Sequence, residues 1–213
     1  MVACCQAACR MSVWPPSRDE MMFSLERLQL LGFVSRHVPF GARASSKTVR
    51  YRLDDYFLRF YFAFIEPHLE RIRRSREGLT FDQIARKDWE RHAGLCFEQF
   101  IRDHAGLVAA AVGHELRKTG TYWQRPTKRK AGVQLDVLIG CADGVTLVCE
   151  CEWSRHRIGM EAVQQLRERA ALYPHARGDT VRLVLAAANG VTTDVQRAAD
   201  VRIVTLDDLF ANP

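Results

Sequence analysis

Three acidic residues sit where two apolar strands should run unbroken. Gln134-Leu135-Asp136-Val137-Leu138-Ile139-Gly140 reads as a short β-strand that Asp136 interrupts. Val145-Thr146-Leu147-Val148-Cys149-Glu150-Cys151-Glu152-Trp153 reads as its partner, with Ala142-Asp143-Gly144 as the turn between them. Side chains two apart on a strand share a face, so Glu150 and Glu152 point the same way. A carboxylate taken out of water is costly unless it is paired, protonated or bound to a metal. Acids converging on one sheet edge therefore point to a divalent-metal site. The alternative is that they are solvated strand ends, or are paired with Arg155 and Arg157. Upstream, Leu95, Glu98, Ile101 and Ala105 recur at helical spacing, which puts Glu98 beside an apolar stripe. A lone helix glutamate is usually solvated, so Glu98 gains weight only from the strand acids that follow it.

The elements that would position these residues can be read along the chain. Residues 1–20 lack an amphipathic period, and Trp14-Pro15-Pro16 breaks any helix, so they stand as an unassigned leader. A helix is expected from Met21, carrying Phe23, Leu25, Leu28, Leu30 and Leu31, with Gly32 suited to its C-terminal cap. Strands are expected at 33–38 and 49–53. The small, basic linker between them, Gly41 to Thr48, is a near miss for a phosphate-binding loop. Ser46 stands where the second glycine should be, and the segment runs into a strand rather than a helix, so a basic wing against DNA backbone fits better, through Arg43 and Lys47. Helix, strand, basic loop, strand is the layout of the second half of a winged-helix domain. Asp54-Asp55 can cap a helix from Tyr56 to about Glu66, which Pro67 ends or bends. Its aromatics (Tyr56, Phe57, Phe60, Tyr61, Phe62, Phe64) suit burial on several sides better than base stacking.

A basic run from His68 to Glu77 ends at Gly78, where a domain boundary is expected, giving segments 21–77 and 78–213. Two helices are expected over 81–110, a first short strand over Tyr122-Trp123-Gln124-Arg125, and a basic connector through Lys128, Arg129 and Lys130 into the Asp136 strand. A helix from Met160 to Leu172 follows, with Val163, Leu166 and Ala170 as its apolar side, then strand 180–186, a short helix at 193–199 and strand 201–206. This order indicates a mixed α/β sheet.

Bulk properties bound the partners. The 213 residues are 47% hydrophobic and 26% charged, an ordinary folded composition. No apolar run approaches the ~18 residues of a membrane span, and no secretory signal precedes the fold. A net charge of +6 is compatible with a nucleic-acid partner without establishing one. The seven cysteines show neither CxxC nor zinc-type Cys/His spacing. Cys149 and Cys151 fall opposite Glu150 and Glu152 and read as buried thiols, which suggests a reducing, cytoplasmic setting.

Helix glutamate, strand aspartate, Glu-x on the next strand, then helix and strand, resembles the restriction-endonuclease-like PD-(D/E)xK nuclease superfamily. More narrowly, Tyr51-Arg-Leu-Asp-Asp-Tyr-Phe-Leu-Arg-Phe-Tyr-Phe62, Phe97-Glu98, Leu135-Asp136-Val137 and Cys149-Glu150-Cys151-Glu152-Trp153-Ser154 look like the C-terminal half of a group of archaeal and bacterial P-loop ATPases. These carry a winged helix and a C-terminal domain of unknown function. The resemblance covers roughly residues 21–210. The ATPase module and the first winged-helix helices have no counterpart here, which fits a fragment or a displaced start. What the resemblance implies is an α/β, mixed-sheet restriction-endonuclease-like core preceded by a partial winged-helix domain. It further implies a Mg-dependent DNA endonuclease with Asp136, Glu150 and Glu152 at the catalytic positions. Mg²⁺ or Mn²⁺ would be held by Asp136 and Glu150, with Glu98 contributing through water. DNA would be met by Arg43, Lys47, Lys128, Arg129, Lys130 and Arg155. Gln164 would orient substrate or water, and an ATPase module would act in trans.

One residue departs from the family pattern, which has lysine where this chain has Glu152. That lysine would stabilise charge on the reacting phosphate, and glutamate reverses its sign. Same-face carboxylates ~6 Å apart repel by roughly 2–3 kcal/mol at an effective dielectric of ~20. Lys128, Lys130 or Arg155 are the candidates to restore the lost charge. Three readings stay open: an active endonuclease-like domain, a catalytically degenerate nucleic-acid-binding or regulatory module, and acids with only a structural part.

Overall fold

The computed structural model describes residues 17–75, 78–128, 130–175 and 179–211. The expected leader falls mostly outside them. The described residues form two compact units, one running up to Arg36 with Arg50–Lys87, the other His37–Val49 with Asp88 onward.

In the first unit, helix α1 spans Arg18–Leu30. It starts before the expected Met21 because Ser17 and Glu20 form a reciprocal capping box that nucleates the first turn. None of its residues is buried, and Phe23 and Leu30 are 60% and 89% exposed. Strands β1 (Val34–His37) and β2 (Arg50–Leu53) form a two-stranded sheet, as the alternation of apolar and basic residues indicates. Asp55 caps α2 (Tyr56–Phe60), its carboxylate accepting from the Leu58 N–H at 2.7 Å.

The aromatic helix does not simply end at Pro67. It widens into a π turn over Tyr61–Ile65, tightens into a 3₁₀ turn over Glu66–His68 that contains Pro67, and resumes as α3 (Leu69–Arg74). Proline has no N–H to give the preceding turn, and the altered winding absorbs that missing bond. Phe64 is the buried aromatic of this stretch, whereas Tyr56 and Phe57 are exposed. In the basic run, Arg73 and Arg74 both pair with Glu70 on the surface. A short helix α4 (Phe81–Ile84) follows.

The second unit carries the mixed α/β architecture that the element order indicates. Helices α5 (Trp89–Asp103) and α6 (Ala105–Ala111) precede strands β3 (Leu116–Gln124), β4 (Val133–Cys141) and β5 (Val145–Glu152). Then come α7 (Met160–Ala171), β6 (Thr180–Ala187), α8 (Thr193–Gln196), β7 (Val201–Thr205) and α9 (Leu206–Phe210). The five strands lie in the order β3-β4-β5-β6-β7. The first three pair antiparallel, and β6 and β7 pair parallel to β5 and to each other. Parallel pairing needs a crossover, which α7 and α8 provide.

Helices cover both faces, so the central strands are apolar on both. One face packs Val137, Ile139, Leu147 and Cys149 against Phe97 and Ile101 of α5 and Val108 of α6. The other packs Leu138, Val148 and Leu185 against Val163 and Leu166 of α7. Each such fully buried side chain contributes roughly 1.5–3 kcal/mol. The α5 stripe differs from expectation, because Leu95 is 50% exposed while Ala93, Phe97 and Ile101 face the core.

Strand β3 is longer than expected, since its first half is exposed and polar and lacks an apolar signature. The segment after β1 joins this unit. The Phe40 N–H donates to the Thr121 carbonyl at 2.8 Å, and its ring lies over Gly120 and Gly140, where a Cβ would come within 3.3 and 3.2 Å of it. Among the described residues no helix is long and apolar enough to cross a membrane.

Candidate active site

Asp136 sits where the β4 ladder breaks. Along β3 the register advances two residues, from Gly120 to Tyr122, while along β4 it moves three, from Leu138 to Leu135. The extra residue makes a bulge spanning Asp136 and Val137, which lets Leu135 and Leu138 both join the α7-side core. A bulge re-aims the side chain it carries. On the other side the β4–β5 ladder begins at Val137↔Cys149, one step inside Asp136 and Glu150. The Asp136 carboxylate takes up the slack by accepting from the Cys151 N–H at 3.2 Å.

Glu150 lies in the core. It is 3% exposed, and one carboxylate oxygen pairs closely with Arg169 of α7. Its other oxygen, Oε2, is buried with no hydrogen-bond partner among the described residues. Glu98 projects from α5, also buried, with Arg102 one turn on at 3.7 Å. Glu152, at the end of β5, is half-buried.

Burial first, then the charge of Glu98, pushes the Asp136 carboxyl up to about 6, against a lowering by the Cys151 N–H and Arg169. Burial, then the charge of Asp136, pushes Glu150 up to about 8, with Arg169 opposing. Burial raises Glu152, again against Arg169. Four carboxyls thus share one field, and Arg169 is the cation that recurs beside three of them. Gly132, Val133, Gln134, Asp136, Arg169 and Leu172 line an open hollow of about 370 Å³, which gives Asp136 and Arg169 access to solvent.

The residues present fit a hard divalent cation. The donors are carboxylate oxygens, the orphaned Glu150 Oε2 lacks the partner a buried carboxylate needs, and burial together with neighbouring acids makes the charged forms of Asp136 and Glu150 costly, a cost that a cation would offset. The donors are not closed around one point: among the described residues, no three of these acids bring ligand atoms within 4.8 Å of one another. Arg169 meanwhile supplies a positive charge to Glu150.

The remaining expected site residues divide. Arg43, Lys47, Lys128 and Lys130 are exposed. Arg129 lies outside the described residues. Arg155 pairs with Glu90 of α5, and Arg157 reaches the Val191 carbonyl at 3.5 Å, so neither neutralises Glu150. The solvated-strand-end reading fails for Glu150 on its burial. Gln164 faces solvent and donates to Glu168 at 2.9 Å, away from the acids. Sequence reasoning overlooks Arg169. It lies beside Ala170, at the flank of the Val163, Leu166, Ala170 stripe that faces the sheet, and a cation at that edge, opposite an acid-bearing strand, is the signal that would have found it.

Comparison with known proteins adds a partial match to a family model and remote likenesses. The family described as archaea bacterial proteins of unknown function (DUF234) matches residues 61–166. Uncharacterized protein MJECL04 of Methanocaldococcus jannaschii is 27% identical over 134 residues, 61% of this chain and 28% of that protein, so this chain spans only about a quarter of the relative's length. Among solved structures, a repair endonuclease from Pyrococcus abyssi aligns at a TM-score of 0.36 and 17% identity, over 54% of this chain and 46% of that one. The EndoMS–dsDNA complex aligns at 0.35 and 19%, over 54% and 43%. Protein VC1899 from Vibrio cholerae aligns at 0.40 and 14%, over 89% and 40%. At these scores the likenesses carry no functional argument.

Proposed function

We propose that the second unit is a nuclease-like domain that hydrolyses DNA phosphodiesters with a divalent metal at its acid pocket. The observation that carries this reading is the buried Glu150, with one oxygen on Arg169 and the other unpartnered, facing an Asp136 whose proton is held up to about 6. A carboxylate this costly to bury is expected to have a ligand. Asp136 and Glu150 are the residues that would hold Mg²⁺ or Mn²⁺, with Glu98 acting through water. When bound, the ion supplies Lewis acidity toward the phosphate and lowers the pKa of an attacking water.

The chain's own residues do the rest. The Cys151 N–H fixes the Asp136 carboxylate, and the bulge aims it toward the hollow. Arg169 replaces the lysine that Glu152 displaces, presenting its charge from a helix instead of the strand. With a cation taking over the charge of Glu150, Arg169 would be free to meet the phosphate, whose two exposed oxygens suit a guanidinium fork. Arg43, Lys47, Lys128 and Lys130, all exposed, hold the DNA backbone. The resemblance makes an ATPase module the partner to seek by co-purification.

Incubating supercoiled DNA with the protein and Mg²⁺ or Mn²⁺ tests the reading. Nicking that disappears with chelator and in Asp136→Ala supports it. No nicking with either metal, or nicking that survives Asp136→Ala, overturns it. A second reading, a non-catalytic nucleic-acid-binding module, is favoured by Glu152 at the lysine position and by Arg169 already neutralising Glu150. It predicts salt-dependent DNA binding without nicking, and fails if no DNA is bound at low salt.

A further inference from the structure

At the far end of strands β4 and β5 from the acid pocket, three metal-ligating side chains of different chemistry meet. His114 lies in the α6–β3 loop, Cys141 ends β4 and Asp143 lies in the β4–β5 turn. One donor atom from each falls within 4.8 Å of the other two. Cys141 is five residues along β4 from Asp136, which puts the two places about 17 Å apart on an extended strand. We propose that His114, Cys141 and Asp143 form a binding site for a borderline transition-metal ion, Zn²⁺ in the first instance.

The backbone holds the donors in place without a ligand. Gly113, at φ 81°, turns the chain out of α6, and the His114 N–H donates back to the Ala109 carbonyl at 2.9 Å. The Ala142 N–H donates to the Glu115 carbonyl at 2.9 Å, tying the histidine loop to the turn. Asp143 Oδ1 accepts from the Val145 N–H at 3.2 Å, which leaves Oδ2 to face His114 Nδ1 at 2.7 Å. Cys141 is fully buried beneath them, and the His114 side chain is 7% exposed, while Asp143 is 51% exposed and open to water.

The donor set selects the ion. A thiolate, an imidazole and one carboxylate oxygen are the mixture Zn²⁺ takes, and Mg²⁺ or Ca²⁺ would not choose the sulfur. A tetrahedral ion with bonds of about 2.0–2.3 Å sets its donors about 3.3–3.8 Å apart. The three donors reach that spacing by a small closure of Cys141 and a slight opening of the His114–Asp143 hydrogen bond. Water completes the fourth position on the exposed side of Asp143. Binding releases the Cys141 thiol proton to solvent, and the ion then ties together the α6–β3 loop, the end of β4 and the β4–β5 turn.

The test uses the reduced, chelator-treated full chain carrying Cys4→Ser, Cys5→Ser, Cys9→Ser and Asp136→Ala. That background removes the leader thiols and the Asp136 carboxylate on which the nuclease proposal rests, and the band reads a thiolate ligand, so the outcome is independent of that proposal. Co²⁺ is titrated as a spectroscopic stand-in and then displaced by Zn²⁺. The expected result is a thiolate-to-cobalt charge-transfer band that saturates at about one equivalent and is abolished by Zn²⁺. Cys141→Ser should remove the band, and His114→Ala and Asp143→Asn should each weaken Co²⁺ binding about tenfold or more. No band, or a band that survives Cys141→Ser, overturns the site. If Cys141→Ser fails to fold by circular dichroism, His114→Ala decides: unchanged Co²⁺ affinity in that variant also overturns it.

Discussion

Strands β4 and β5 carry an aspartate at each end of their pairing, and the two ends treat it oppositely. Asp136, at the bulge, is pushed up to about 6 by burial and by Glu98. Asp143, in the turn, is held below its ordinary range, first by the Val145 N–H and further by His114. The residue type is the same and the strands are the same. At the turn, water and backbone donors solvate the charge. At the bulge, helices α5 and α7 close over the strand ends, and the charge is left to Arg169 and to neighbouring acids that repel it. A fold gains nothing in stability from crowding carboxyls in its interior, and that cost is the ground on which a binding function is proposed for the bulge end. The turn end is stable as built, and an ion there would add a tie.

The largest expected effect separates the two ends by activity. Asp136→Ala should lower metal-dependent nicking at least about 100-fold, while Asp143→Asn should leave it within about twofold. Equal losses in both variants would erase the distinction.

Arg169 sharpens the bulge end. Arg169→Ala should lower nicking by about tenfold or more without abolishing Mn²⁺ binding, and adding Glu152→Lys to it should recover part of the loss. Recovery would show that the charge, relocated from strand to helix, is what matters. No change in either variant would remove Arg169 from the site.

Stability against pH should differ as well. Asp136 and Glu150 both bind their protons more tightly folded than unfolded. Their contribution is therefore full below about pH 4, the ordinary carboxylate range, and is lost as pH rises through about 6 and then about 8. Metal-free protein should melt lower at pH 8.5 than at pH 5.5. Glu150→Gln should raise stability at the higher pH by on the order of 1–3 kcal/mol, since the two groups titrate together and their shifts do not add. Thermal melts with and without Mn²⁺ check this, because bound metal should cancel the pH dependence.

The exposed cations should give the smallest change. Replacing Arg43, Lys47, Lys128 and Lys130 with serine should flatten the salt dependence of DNA binding by about one unit of slope for each phosphate that is no longer neutralised. Binding isotherms at several salt concentrations measure it, and an unchanged slope would move the DNA elsewhere.

Much of this architecture is legible in the residues. Alternation, the Ala142-Asp143-Gly144 turn and the apolar runs mark β4 and β5 to within a residue or two, and the acids stand out because they interrupt those runs. What the pattern hides is what depends on a third element. The β4 bulge needs the register of β3, whose first half is polar and carries no strand signature. Pro67 signals that the aromatic helix must change there, but not that it does so by rewinding through a π turn and a 3₁₀ turn. Arg169 and Gln164 are both polar residues on α7, and only the rotation of that helix over the sheet makes the first a site residue and the second a surface one. The same holds for Leu95, which matches helical spacing but lies on the exposed side of α5. His114, Cys141 and Asp143 escape motif spacing entirely, because 26 residues and a whole β-hairpin separate the first from the second.

Everything proposed for the bulge end depends on its buried acids binding a divalent cation. Calorimetric titration of Mn²⁺ into the metal-free protein at pH 7.5, for wild type and Asp136→Ala, reads that binding without relying on catalysis. Saturable binding with proton release is expected in the wild type, and its loss in Asp136→Ala. Absent binding, or equal binding in both proteins, would rule the cation site out.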